Sequence, residues 1–159
     1  MSLERFTEKW TSSSCPPDPV SEGDLSQVEF RFGVRLPDDY RDAVLRVGLP
    51  RPKLALLSAI VERELELQGI GDFYSPSEII KSTLAWHAIS MPANLIAFAS
   101  DHSGNKFCFD ADRLKKREGG SAAIWFFDHD FETVECVAPS FTAWIEAYCD
   151  VEPVEEEEY

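Results

Sequence analysis

The sequence predicts an α+β fold: a single domain with a mainly antiparallel central sheet and helices packed on it. Three observations predict it. From Leu95 onward, short apolar or alternating runs are separated by turn residues, the pattern of strands in hairpins. Before and after that block, helix starts and stops punctuate amphipathic segments. Strands and helices do not alternate regularly, which argues against a parallel βαβ sheet. The chain has 159 residues, 44% of them hydrophobic and 12% aromatic. That is about one domain, large enough to bury a core without disulfide or metal staples.

Leu3, Phe6 and Trp10 share one helical face, so the first ten residues read as a helix. Thr11–Pro19 holds three serines and three prolines and reads as a linker. Residues 1–20 are therefore set apart from a main domain over 21–150. Ser21 with Asp24 three residues later approximates a capping box. The helix it opens carries Leu25, Val28, Phe30 and Phe32 and stops at Gly33. Pro37 followed by Asp38 and Asp39 starts the next helix, Pro37 taking its first position, with Tyr40, Val44 and Val47 on one face and a stop at Gly48 and Pro50.

Residues 53–73 are ambiguous. Leu54–Ile60 is compatible with a buried strand, and Val61–Leu67, with its alternating Glu, with strand or helix. Ser75-Pro76-Ser77-Glu78 opens a helix running to about Ile89. Leu95–Ala99 is then an apolar strand, Asp101–Asn105 a turn, and Lys106–Asp110 an alternating strand. Ala122–Phe127 is a further strand, read as covered on both faces, Asp128–Asp130 a turn, and Glu132–Val137 an alternating strand. Ser140 caps a last helix bearing Phe141, Trp144, Ile145 and Tyr148.

The formal net charge of −14 repels nucleic acid and anionic membrane and favours encounter with basic partners. Part of it lies in the run from Glu152 to Glu158 within the tail 151–159, a like-charge block expected to be disordered. No apolar run approaches the roughly 20 residues of a membrane span, and the N-terminus lacks a secretory layout. A cytoplasmic location is the expectation. The four cysteines, at 15, 108, 136 and 149, form no CxxC pair. Cys108 and Cys136 sit in apolar strand-like runs, and all four are expected to be reduced.

Asp101, His102, Asp128, His129 and Asp130 concentrate metal-competent and acid–base groups in two turns, which lie close together if their hairpins are neighbours. Turn chemistry explains them more simply. Asp and Asn accept hydrogen bonds from their own backbone, and Gly104 supplies a positive φ. No nucleophile, second ligand cluster or phosphate loop accompanies them, so no catalytic residue, metal or cofactor is assigned. His87, late in its helix, complements the helix dipole.

Three segments resemble the SUKH superfamily. Val34-Arg35-Leu36-Pro37-Asp38-Asp39-Tyr40 is similar to its Leu-Pro helix start. Residues Ile96 to Asp110 are similar to its strand, Asp-x-x-Gly-Asn turn, strand hairpin, and Ile124 to Asp130 to its apolar strand ending in an Asp-His-acid turn. The resemblance covers roughly residues 21–149. It implies helices against one face of a central sheet. It further implies an immunity protein that binds and neutralises a polymorphic or contact-dependent bacterial toxin, many of which are nucleases, without catalysis. Fungal relatives are regulators that act by binding other proteins, the alternative reading. A nuclease has a cationic cleft that carboxylates can occupy. Glu62, Glu64 and Glu66 would share one face of a strand and join Asp101, His102, Asp128, His129 and Asp130 as candidate partner-binding residues. The expected partner is a cognate toxin with a basic surface, bound by a monomer or weak dimer.

Overall fold

The computed structural model describes residues 2–116 and 120–154. The elements run α1 (Ser2–Trp10), α2 (Glu22–Phe32), α3 (Asp38–Val47), α4 (Leu54–Glu62), β1 (Asp72–Phe73), α5 (Pro76–His87), β2 (Leu95–Ser100), β3 (Lys106–Asp110), α6 (Ala111–Lys115), β4 (Ile124–Asp128), β5 (Thr133–Ala138) and α7 (Phe141–Cys149). The fold is α+β. Its five strands form one antiparallel sheet in the order β1-β2-β3-β4-β5, so every strand pairs with its neighbours in sequence.

Every residue of β2, and all of β3 except Asp110, is buried. Strands covered on both faces read as apolar runs rather than as alternation, which is the pattern of 95–99. On one face Phe126 meets Phe107, which meets Trp144 of α7, and Phe98 and Phe109 stack at 4.3 Å beneath Tyr40 of α3. Tyr40 also meets Phe141 edge-on at 5.2 Å, so one ring ties β2, β3, α3 and α7 together. Such pairs contribute about 0.5–1.5 kcal/mol each beyond the area they bury. Helix α1 packs on α3 and α7, burying Leu3, Phe6 and Trp10, and the Trp10 indole donates to Tyr148 O at 2.9 Å.

On the other face Trp86 of α5 meets Phe127. Helix α5 also closes the edge of β2 beyond the short β1. Ala97 N donates to Thr83 Oγ1 at 3.0 Å, and His87 Nε2 donates to Leu95 O at 2.7 Å. Two side chains thus replace a missing strand, satisfying groups that would otherwise be open to pairing.

The helix signals at Ser21, Gly33, Ser75 and Ser140 act as their chemistry requires. Ser21 and Ser75 make complete capping boxes, Ser140 accepts from Ala143 N, and Gly33 ends α2 at φ 64°. Several expectations need correction. Leu54–Ile60 is not a strand but helix α4, burying Leu56, Ala59 and Ile60 at helical spacing. Nearly every residue there is apolar, so periodicity carries no information. Phe30 is 91% exposed, because only Leu25, Val28 and Phe32 lie on the buried face of α2. Pro37 is the cap of α3 rather than its first residue, and α5 ends at His87, not Ile89. Cys136 is exposed on β5, whereas Cys108 is buried. Of the acidic tail, residues 155–159 lie outside the described residues.

Candidate partner-binding surface

One end of the sheet collects the two turns. Asp101 Oδ1 accepts from Ser103 N (2.8 Å) and Asn105 N (2.9 Å), with Gly104 at φ 88° closing the turn. Asp128 Oδ1 does the same for Asp130 N at 2.9 Å. These are turn hydrogen bonds, as expected of Asp in such positions. The residue joining the turns is Asn105. Its Nδ2 donates to Asp101 Oδ2 (3.0 Å), and its Oδ1 accepts from His129 N (3.1 Å) and from His129 Nδ1 (2.6 Å). The acceptor at Oδ1 puts a proton on Nδ1 of His129, and the other ring nitrogen lies 3.4 Å from Asp130 Oδ1.

Beneath this bridge lies Lys106, 7% exposed, with Nζ 2.6 Å from Tyr74 Oη and over the rings of Tyr74 and Trp86. Trp86 in turn packs against His129 at 5.5 Å. The aromatic faces and the phenol oxygen stand in for water around the ammonium. Neither Asn105 nor Lys106 stands out in the sequence, since one reads as turn filler and the other as the solvent side of an alternating strand.

The segment after α4 reaches the same end. Gly71 N donates to Ser100 O (2.8 Å), and a Cβ on Gly71 would lie 2.8 Å from Asp101 O, so only glycine permits this approach. A Cβ on Gly69 would lie 3.2 Å from the exposed His102 ring. Glu62, Glu64 and Glu66 are all exposed but do not share a strand face. Glu62 ends α4, Glu64 turns the chain at φ 53°, and Glu66 faces Glu135 across a groove over α7. The structure therefore brings Asp101, Asp128, His129 and Asp130 into one network. It places His102 beside that network, sets Glu66 with Glu135 in the groove over α7, and leaves Glu62 at a helix end.

Phe131, between Asp130 and Glu132 at the tip of the β4–β5 turn, is 78% exposed, and Leu65 and Val134 are partly exposed. The carboxylates flanking Phe131 are those of its sequence neighbours. The sequence reading missed Phe131, whose signal was an apolar residue inside an otherwise polar turn. Arg63, the cation of this segment, is committed to the carbonyls of Glu152 (2.8 Å) and Pro153 (2.9 Å). Among the described residues no group of three or more His, Cys, Asp or Glu is placed to hold a metal ion, and no helix is long and apolar enough to cross a membrane.

No curated protein matches the sequence. The SMI1 / KNR4 family (SUKH-1) model matches residues 19–147, which takes in α2 through most of α7 and the whole sheet. SUKH proteins include toxin-immunity proteins and regulators that bind other proteins. The Leu-Pro helix start, the Asp-x-x-Gly-Asn hairpin and the Asp-His-Asp turn all fall within the match, and the chain belongs to the SMI1 / KNR4 (SUKH-1) family.

Proposed function

We propose that this protein is an immunity protein that neutralises a bacterial toxin by stoichiometric occlusion, with a nuclease as the favoured target. The observation that carries the reading is the acidic end of the sheet. Asp101, Asp128 and Asp130 gather at the two turns, Asp130 and Glu132 flank the exposed Phe131 in sequence, and Glu135 follows on β5, on a chain of net charge −14. Clustered carboxylates match the cationic cleft with which a nuclease holds a phosphate backbone, and the net charge steers encounter. Phe131 supplies the apolar anchor. Inhibition then requires only that the complex outlive the toxin's encounters with nucleic acid. No group of the protein need react.

The test is growth rescue. The protein is co-expressed with the C-terminal toxin domain of a large secreted protein encoded beside its gene. Rescue is expected, together with its loss when Asp130 and Glu132 become Lys and Phe131 becomes Ser. Binding measured in parallel should weaken as salt rises. A domain shown to be toxic but not countered, or an affinity indifferent to salt, would refute the proposal. The weight would then move to the family's other role, regulation of an endogenous protein.

A further inference from the structure

The two edges of the sheet are treated differently. Thr83 and His87 close the β2 edge beyond β1. At the opposite edge, β5 presents six residues, Thr133–Ala138, of which 133–136 are exposed. Among the described residues, no backbone group of 133–137 bonds to backbone outside the ladder with β4. Alternate N–H and C=O groups of an antiparallel edge strand point outward, a template for another strand. The sequence Thr-Val-Glu-Cys-Val-Ala contains no proline and one charge, little of what usually blunts such an edge.

A groove flanks β5 on each face of the sheet. On the α7 side, Glu66, Glu135, Pro139, Trp144 and Tyr148 line a groove of about 310 Å³. Trp144 is 2% exposed, and its indole N–H has no hydrogen-bond partner. The neighbouring Tyr148 hydroxyl donates to Gln68 O at 2.6 Å and turns its lone pair toward that N–H at less than hydrogen-bond geometry. On the other side Asp110, Arg113, Lys116, Trp125, Cys136 and Pro139 line a second groove, with two cations to one carboxylate, so the acidic groove is the one on the α7 side; the Trp125 indole N–H is also buried without a partner. Buried donors of this kind are rarely left unsatisfied. Here each stands beside the open edge.

We propose that β5 is the docking edge for an extended, basic segment of a partner protein, which adds as a sixth strand and lays side chains into the two grooves. Charge selects the occupant. Glu135 and Glu66 line the α7-side groove, and Asp130 and Glu132 stand at the start of the strand, so Lys or Arg at alternate positions meets carboxylates. A second copy of β5 would set Glu132 and Glu135 against their own kind on a chain of charge −14, which disfavours self-pairing. The inference rests on the protein-binding reading and names the edge by which the partner is held.

The probe is a capped ten-residue peptide alternating Lys and Val, titrated into the 15N-labelled full chain. Amide shifts are expected to centre on residues 133–138, with the Trp144 and Trp125 indole N–H signals moving too. Methylating alternate peptide amides should abolish binding, because it removes strand pairing while keeping the charge. Glu135→Lys should weaken it about fivefold, the upper range for one cross-strand ion pair. Its fold is checked by circular dichroism, and Glu135→Gln, with a smaller loss, serves if it fails to fold. Shifts centred elsewhere, equal binding by the methylated peptide or by a Glu–Val peptide, or no binding would overturn the proposal. So would concentration-dependent shifts of β5 in the free protein, which would show a second copy as the occupant. Failure here with growth rescue intact would remove the edge and leave the immunity reading standing.

Discussion

Replacing Asn105 by Ala tests whether the two turns form one surface. The backbone bonds of the turn survive, since Asp101 Oδ1 still accepts from residue 105 N and Asp101 N still donates to its carbonyl. Three side-chain bonds are lost: to Asp101 Oδ2 and from His129 N and Nδ1. A typical net hydrogen bond contributes about 1 kcal/mol, and one to a carboxylate about 1.5–3 kcal/mol. His129 is half-buried, so water recovers part of the loss at its ring, and about 2–3 kcal/mol of destabilisation is expected. In a domain of this size that lowers Tm by roughly 5–10 °C. Urea denaturation followed by circular dichroism gives the free energy, and calorimetry gives the shift. Asn105→Asp is a companion. It keeps acceptors for His129 but sets a second carboxylate against Asp101, so its penalty should shrink as pH falls and one of the pair takes up a proton. A loss below about 0.5 kcal/mol for Asn105→Ala, within the range of an ordinary surface substitution, would refute the bridge.

The joint between α2 and α3 offers a second stability test. Arg41, with an 8% exposed side chain, pairs with Glu29 at 2.8 Å and with the exposed Glu22, while Glu29 Oε2 accepts from Leu36 N at 2.8 Å. Glu29→Ala should cost about 3 kcal/mol in urea denaturation, and Glu29→Leu combined with Arg41→Met less, since the pair leaves no uncompensated buried charge. Thiol titration with Ellman's reagent at pH 8 should find Cys15 and Cys136 fast, as both are exposed. Cys108 and Cys149, whose thiols burial pushes above the ordinary range, should react only on unfolding; prompt modification of Cys108 in the folded protein would contradict the core packing.

What the sequence made legible was whatever local chemistry decides. Ser21 and Ser75 cap helices because their hydroxyls reach the N–H three residues on, an interaction contained within four residues. Gly33 and Gly104 take left-handed φ where a side chain would be strained. The hairpin at Asp101–Asn105 and the strand pairing after it follow from the same kind of signal. Helix α4 was not legible, since in Leu54–Val61 every position but Ser58 is apolar and both periods fit. Its true face, Leu56, Ala59 and Ile60, is selected by packing against the core, which no window of the sequence contains.

The candidate surface divides in the same way. Asp101, Asp128, His129 and Asp130 were legible as a set because two similar turns in adjacent hairpins must meet at one end of an antiparallel sheet. What they do there was not legible, because it depends on Asn105, whose side chain crosses between turns 24 residues apart. The period of two that groups Glu62, Glu64 and Glu66 is one the chain does not keep, and of the three Glu66 lines the groove beside β5. Phe131 belongs to neither pattern. It lies in a polar turn between Asp130 and Glu132 and is 78% exposed. A large apolar side chain held in solvent contributes little to the isolated fold. On the immunity reading, that cost is offset when a cationic partner closes over the ring and its flanking carboxylates.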